Sequence, residues 1–274
     1  MQQALTSEAG SCIKPERNRQ LALYGLGITG IIAAITVCEY IFAYRNVAYG
    51  IVMSLGLTIL LYAFLAFRKT DDLLAESVES LVLVPMYILF TSSLPWFFIS
   101  QQYLLPAVYT CIIGLCVLYI YQKGISFKEL IGVPDRKRMA LYVLMGAIGI
   151  PTGLVEYLIL KPAPFYPEFT IKYLLLNLLY MLFFVGVGEE VLFRGLIQKN
   201  LGRLFGWKWG LVGASLLFSI MHLTWRSVPE LFFVFLAGLI FGYCYIKTES
   251  LIASIIIHGV NNTMLVAVCP YVIK

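Results

Sequence analysis

Long apolar runs separated by short polar breaks dominate the chain, and most polar residues fall in the breaks. A helix needs about 20 apolar residues to cross the hydrocarbon of a bilayer. Nine stretches are candidates: Leu21–Ala43, Val47–Phe67, Leu81–Ile99, Tyr103–Tyr121, Met139–Leu160, Tyr173–Phe193, Trp209–Leu223, Leu231–Ile246 and Leu251–Ile273. The seventh and eighth are short, so eight spans remain open if one of them is tilted or re-entrant. No strand-length segments alternate apolar with polar residues as a β-barrel requires. The pattern predicts an all-α, polytopic transmembrane helix bundle of about eight or nine spans.

Composition narrows this further. The 274 residues are 60% hydrophobic and 13% charged, against about 25% charged in a soluble domain. So little charge cannot cover a water-facing surface, which excludes a soluble globule along with disordered, collagen-like and disulfide-stapled chains. Placing the N-terminus in the cytoplasm puts 14 Lys and Arg in inner segments and 5 in outer ones, with Arg194 at a helix end set apart. That bias predicts a cytoplasmic N-terminus, in a cell (plasma) membrane. The net charge of +5 then reads as topology and contact with the anionic lipid bilayer, and no nucleic-acid partner is expected. Cys12, Cys38, Cys111, Cys116, Cys244 and Cys269 lack metal-ligand spacing and read as packing thiols. The first apolar run is too long for a cleavable signal and is expected to stay as an anchor.

The charged stretch Gln122–Arg138, with Pro134-Asp135 as a turn signal, is the best internal boundary. It divides a supporting module of about four spans, residues 1–138, from a working core, residues 139–274. The two are expected to pack as one body. No repeat of fixed period is visible. Gly25, Gly27 and Gly30 match a dinucleotide fingerprint but open an apolar span with no strand before them, so helix packing is the expected role. The pairs Gly149/Gly153 and Gly238/Gly242 read the same way. Pro151 and Pro164 flank a bend or loop. Glu39 and Glu156, in or near spans, need a partner, water or a neutral form. They read as structural or interfacial, or as lining a cavity.

The informative run is Gly188-Glu189-Glu190-Val-Leu-Phe-Arg194-Gly195, at the end of the sixth stretch. A charge at mid-membrane costs about 2.5–3.5 kcal/mol on insertion scales. Glu190 and Arg194, four apart, share a helix face and suit an ion pair. Glu189 points about 100° away and is left free, where apolar surroundings suit a general base. Both histidines also fall in apolar spans: His222 after Phe218-Ser-Ile-Met, and His258 four residues before Asn262 on one helix face. At 1.5 Å per residue Glu189 sits roughly 6–8 Å from the inner end of its stretch, His258 about 10 Å and His222 about 20 Å. His222 is therefore about 10 Å too deep, unless its helix starts later or lies obliquely.

The ordered set EExxxR, FxxxH and HxxxN on separate C-terminal spans resembles the CaaX-protease and bacteriocin-processing (CPBP) family of intramembrane glutamic endopeptidases, which includes lysostaphin-resistance-like membrane proteins. The resemblance covers about residues 140–270. It implies hydrolysis of a peptide bond in a membrane-associated protein or peptide. Glu189 would activate water with help from His222, while His258 and Asn262 would donate to the oxyanion. Glu190 and Arg194 would lock the helix, and no cofactor would be needed. Two alternatives remain open on the residues alone. Glu189, His222 and His258 could bind zinc as a two-histidine, one-carboxylate site. The chain could also be a non-catalytic immunity or scaffold protein.

Overall fold

A backbone in lipid must satisfy its own hydrogen bonds, and an α-helix does so within one segment. The described membrane-spanning segments obey that rule. A computed structural model describes residues 2–67, 72–93, 101–132 and 136–273, including their side chains except at 2–15, 92–93, 101–102 and 136–137. The helices are α1 (Gln2–Tyr40, running on as a π-helical turn Ile41–Arg45), α2 (Val47–Phe67), α3 (Asp72–Ser93), α4 (Gln101–Gln122), α5 (Phe127–Ile131), α6 (Arg136–Gly146) and α7 (Gly149–Leu160). There follow α8 (Ile171–Phe205), α9 (Trp207–Ile220), α10 (Val228–Thr248) and α11 (Leu251–Val272). No strand occurs among the described residues. The Cys12 side chain, the Pro134-Asp135 turn, and Arg68, Lys69 and Lys274 of the charge count lie outside the described residues.

Among the described residues eight spans are long and apolar enough to cross a membrane, α6 and α7 together forming one of them. The chain is an integral, multi-pass membrane protein. The seventh expected span is the exception. Helix α9 has 14 residues, about 21 Å of rise against roughly 30 Å of hydrocarbon. The nine-span expectation therefore becomes eight long spans and one short helix among the described residues.

The sixth span also differs from its expected end at Phe193. Arg194 reads as a terminus because charge ordinarily meets water, yet Arg194 is 1% exposed and α8 continues to Phe205. Glu189 then lies 16 residues from the helix end, roughly 24 Å, in the middle of α8. This removes the depth mismatch with His222, which sits in the turn after α9.

Local sequence explains the joints. Side-chain oxygens of Thr170, Ser227 and Ser250 cap the first turns of α8, α10 and α11, satisfying amides left without helical partners. Pro151 follows the kink between α6 and α7, within the first turn of α7, where its missing N–H costs nothing. Helix α11 is the axis of the C-terminal half, packed against α6, α7, α8 and α10, while α1 and α2 expose most of their surface. Helix α7 approaches α11 closely. A Cβ on Gly149 would stand 2.5 Å from the Ile257 carbonyl oxygen, and one on Gly153 would strike the Asn261 carbonyl and come 2.6 Å from Met264 Cβ.

Gly238 likewise meets Ser215, and Gly242 meets Leu211 and Gln198, as expected of packing glycines. Gly25, Gly27 and Gly30 do not: nothing lies within 4 Å of a Cβ built on any of them. Their expected packing role is not realised among the described residues. These two groups should respond oppositely to bulk. Gly153→Leu is expected to lose about 1–3 kcal/mol or more through overpacking, while Gly25→Leu leaves thermal unfolding of the detergent-purified protein unchanged.

Candidate active site

The acidic pair sits in a short α-helical stretch, Val187–Glu190, between two π-helical segments, Met181–Gly186 and Val191–Gln198. Such wider turns are rare in helices and cluster at functional sites. The adjacent carboxylates diverge as the helical geometry requires. Glu190 is fully buried and accepts from Arg194 Nη1 at 2.9 Å. It also accepts from His258 Nδ1 at 2.8 Å, since a carboxylate can only receive that hydrogen bond. The expected Glu190–Arg194 pair is present, with His258 as a third member.

Aromatic rings enclose that triad. The Arg194 guanidinium carbon lies 4.3 Å from the Phe218 ring centre and 5.4 Å from that of Phe241. The His258 ring stacks on Phe241 at 5.2 Å and meets Phe218 edge-on at 5.6 Å. Guanidinium over an aromatic face is favourable, by about 2 kcal/mol when desolvated. Phe218 thus has a definite task in the FxxxH pattern. Its ring covers Arg194 and His258, and its carbonyl oxygen is 2.8 Å from His222 Nδ1.

Glu189 turns the other way, towards α3 and α4. Tyr87 Oη donates to its Oε1 at 2.8 Å, and Tyr109 Oη donates to the same oxygen. The two phenol oxygens are 2.9 Å apart. The carboxylate expected to be free is therefore clamped by two phenols from the N-terminal spans. Gly188 permits this approach, because a Cβ there would lie 2.9 Å from the Tyr109 ring. No sequence signal marked either tyrosine, as they are two of 18 and sit in apolar spans without a motif. Oε2 of Glu189 lies 3.6 Å from His258 Nε2.

A cavity of about 590 Å³ opens against this cluster. Glu189, His222 and Asn262 line it together, with Tyr87, Tyr109, Glu39 and Glu156. The size is ordinary for a ligand site, and its wall is mainly apolar with a few convergent polar groups. His258 does not line it. Although four residues from Asn262, it is directed into the bundle at both glutamates. The expected set thus divides into three cavity-facing residues and a buried group of Glu190, Arg194 and His258 behind them.

Two further bonds set orientations. A carbonyl oxygen only accepts, so His222 Nδ1 carries a proton and the neutral ring keeps an acceptor at Nε2. Asn262 Oδ1 accepts from Asn261 Nδ2 at 3.2 Å, which leaves the Asn262 amide N–H groups available. Asn261 in turn donates to Glu156. Among the described residues no group of three or more His, Cys, Asp or Glu side chains is arranged to hold a metal ion.

Comparison with known proteins bears on the same segment. Residues 171–264 match the family model described as Type II CAAX prenyl endopeptidase Rce1-like. No curated protein and no solved structure matches the chain. The matched segment runs from the start of α8 into α11 and contains Glu189, Glu190, Arg194, His222, His258 and Asn262. Over residues 171–264 this multi-pass membrane protein is thus similar to the type II CAAX prenyl endopeptidase Rce1-like family.

Proposed function

We propose that the protein hydrolyses a peptide bond of a membrane-associated protein or peptide through a water activated by Glu189. The observation that carries this reading is the convergence of Glu189, His222 and Asn262 on one cavity within the membrane-spanning bundle. Glu189 takes a proton from water as its oxygen attacks the scissile carbonyl carbon. The Nε2 acceptor of His222 helps to hold that water. The carbonyl π electrons move to oxygen, and the Asn262 amide donates to the oxyanion formed. Collapse of the tetrahedral intermediate breaks the C–N bond, and the proton held by Glu189 passes to the departing amine. His258, bound to Glu190 and close to Glu189, keeps the acidic pair in register, and Tyr87 and Tyr109 fix the carboxylate that acts.

Two measurements on purified protein with an apolar transmembrane peptide test these roles. Asn262→Ala is expected to lower the rate by about 10²–10³, the usual effect of deleting one oxyanion donor, with little change in peptide affinity. An effect on affinity alone would remove Asn262 from the transition state. Exhaustive chelation is expected to leave the wild-type rate intact. Activity lost on chelation and restored by zinc would favour the Glu189, His222, His258 metal site instead.

A further inference from the structure

Two carboxyl groups of the cavity take no part in that chemistry. Glu39, on α1, is 2% exposed and lines the cavity, yet has no hydrogen-bond or ion-pair partner among the described residues. Glu156, on α7, lines the same cavity, accepts from Asn261 and adjoins Glu230 of α10. No lysine or arginine is among the described residues lining the cavity. Nearby arginines are committed elsewhere: Arg194 to Glu190, and Arg226 to the Ala43 carbonyl and the face of Tyr44. A carboxyl group in apolar surroundings needs a hydrogen bond or a counter-charge. The described residues supply Glu39 with neither.

We propose that Glu39, with Glu156 on the same cavity wall, forms a subsite for a cationic side chain of the substrate. The preferred substrate is then an apolar membrane peptide carrying a lysine or arginine near the cut bond, which rests on the endopeptidase reading above. The apolar stem of such a side chain lies along Phe42, Leu104 and Met221, which line the cavity, while its charged end reaches Glu39. Long cationic side chains divide between apolar and polar surroundings in this way.

The test uses the full chain in detergent and a series of 20-residue apolar peptides in which one lysine is stepped along the sequence, with norleucine at the same position as the control. Binding is read as the shift in melting temperature of the uncleaving Glu189→Gln protein, and cleavage is followed separately with wild type. At least one lysine register is expected to bind about tenfold more tightly than its norleucine control, the scale of one charge-assisted hydrogen bond. Adding Glu39→Gln is expected to abolish that preference. Butylammonium ion, and not butanol, should compete with the lysine peptide, a check that needs no change at Glu39. Equal binding of lysine and norleucine at every register, or a preference that survives Glu39→Gln, overturns the subsite. A lysine preference in binding without any cleavage would retain the subsite and count against the endopeptidase reading alone.

Discussion

Glu189→Gln is expected to lower peptide cleavage by about 10²–10⁴-fold, the usual contribution of a general base, in a protein that remains folded. The fold survives because a glutamine oxygen still accepts from Tyr87 and Tyr109, the two donors to Oε1. What disappears is the ability to take a proton from water. The paired measurement is therefore rate and thermal unfolding on the same preparation, together with Tyr109→Phe. Removing one phenol keeps the base but loosens its position, so a partial loss is expected. If Glu189→Gln cut at the wild-type rate, catalysis by this carboxylate would be ruled out.

The largest structural effect is expected at Arg194. Arg194→Met leaves Glu190 buried with His258 as its remaining partner and removes the cation from between Phe218 and Phe241. Breaking a buried pair from one side costs about 3–5 kcal/mol, because the other charge stays uncompensated. Arg194→Lys should restore only part of this, since an ammonium cannot reproduce a planar group lying on aromatic rings. The double variant Glu190→Gln/Arg194→Met removes both charges and should be more stable than Arg194→Met alone. Non-additivity in unfolding free energy is the signature of direct coupling. Equal destabilisation by the single and double variants would mean that the guanidinium matters for its bulk.

What the sequence made legible follows from the range of the interactions involved. Apolar runs of spanning length gave the helix bundle, and the four-residue spacing of Glu190 and Arg194 gave their ion pair, because both are local properties of a helix. The end of α8 was misread for a related reason. A charge in sequence looks like an exit into water, whereas Arg194 is neutralised inside the bundle by Glu190 one turn away. Contacts distant in sequence left no trace. Tyr87 is 102 residues from Glu189 and Tyr109 is 80 residues away, so the clamp that denies Glu189 its expected freedom arises only when α3 and α4 pack against α8. Glu39 brings α1 to the cavity in the same way. Of the first four spans, α1, α3 and α4 thus bring side chains to the cavity. The His258–Asn262 spacing was legible, but their different surroundings were not, because helical phase does not say which neighbour each residue meets.

The central claim is that Glu189 makes this membrane protein an endopeptidase. It is tested most directly by quantitative mass spectrometry of membrane peptides and their new termini, in cells making either the wild type or Glu189→Gln at equal levels. A defined set of membrane-proximal sequences should accumulate uncut with Glu189→Gln, and their new termini should return with the wild type. Identical terminal profiles for the two proteins would contradict the claim.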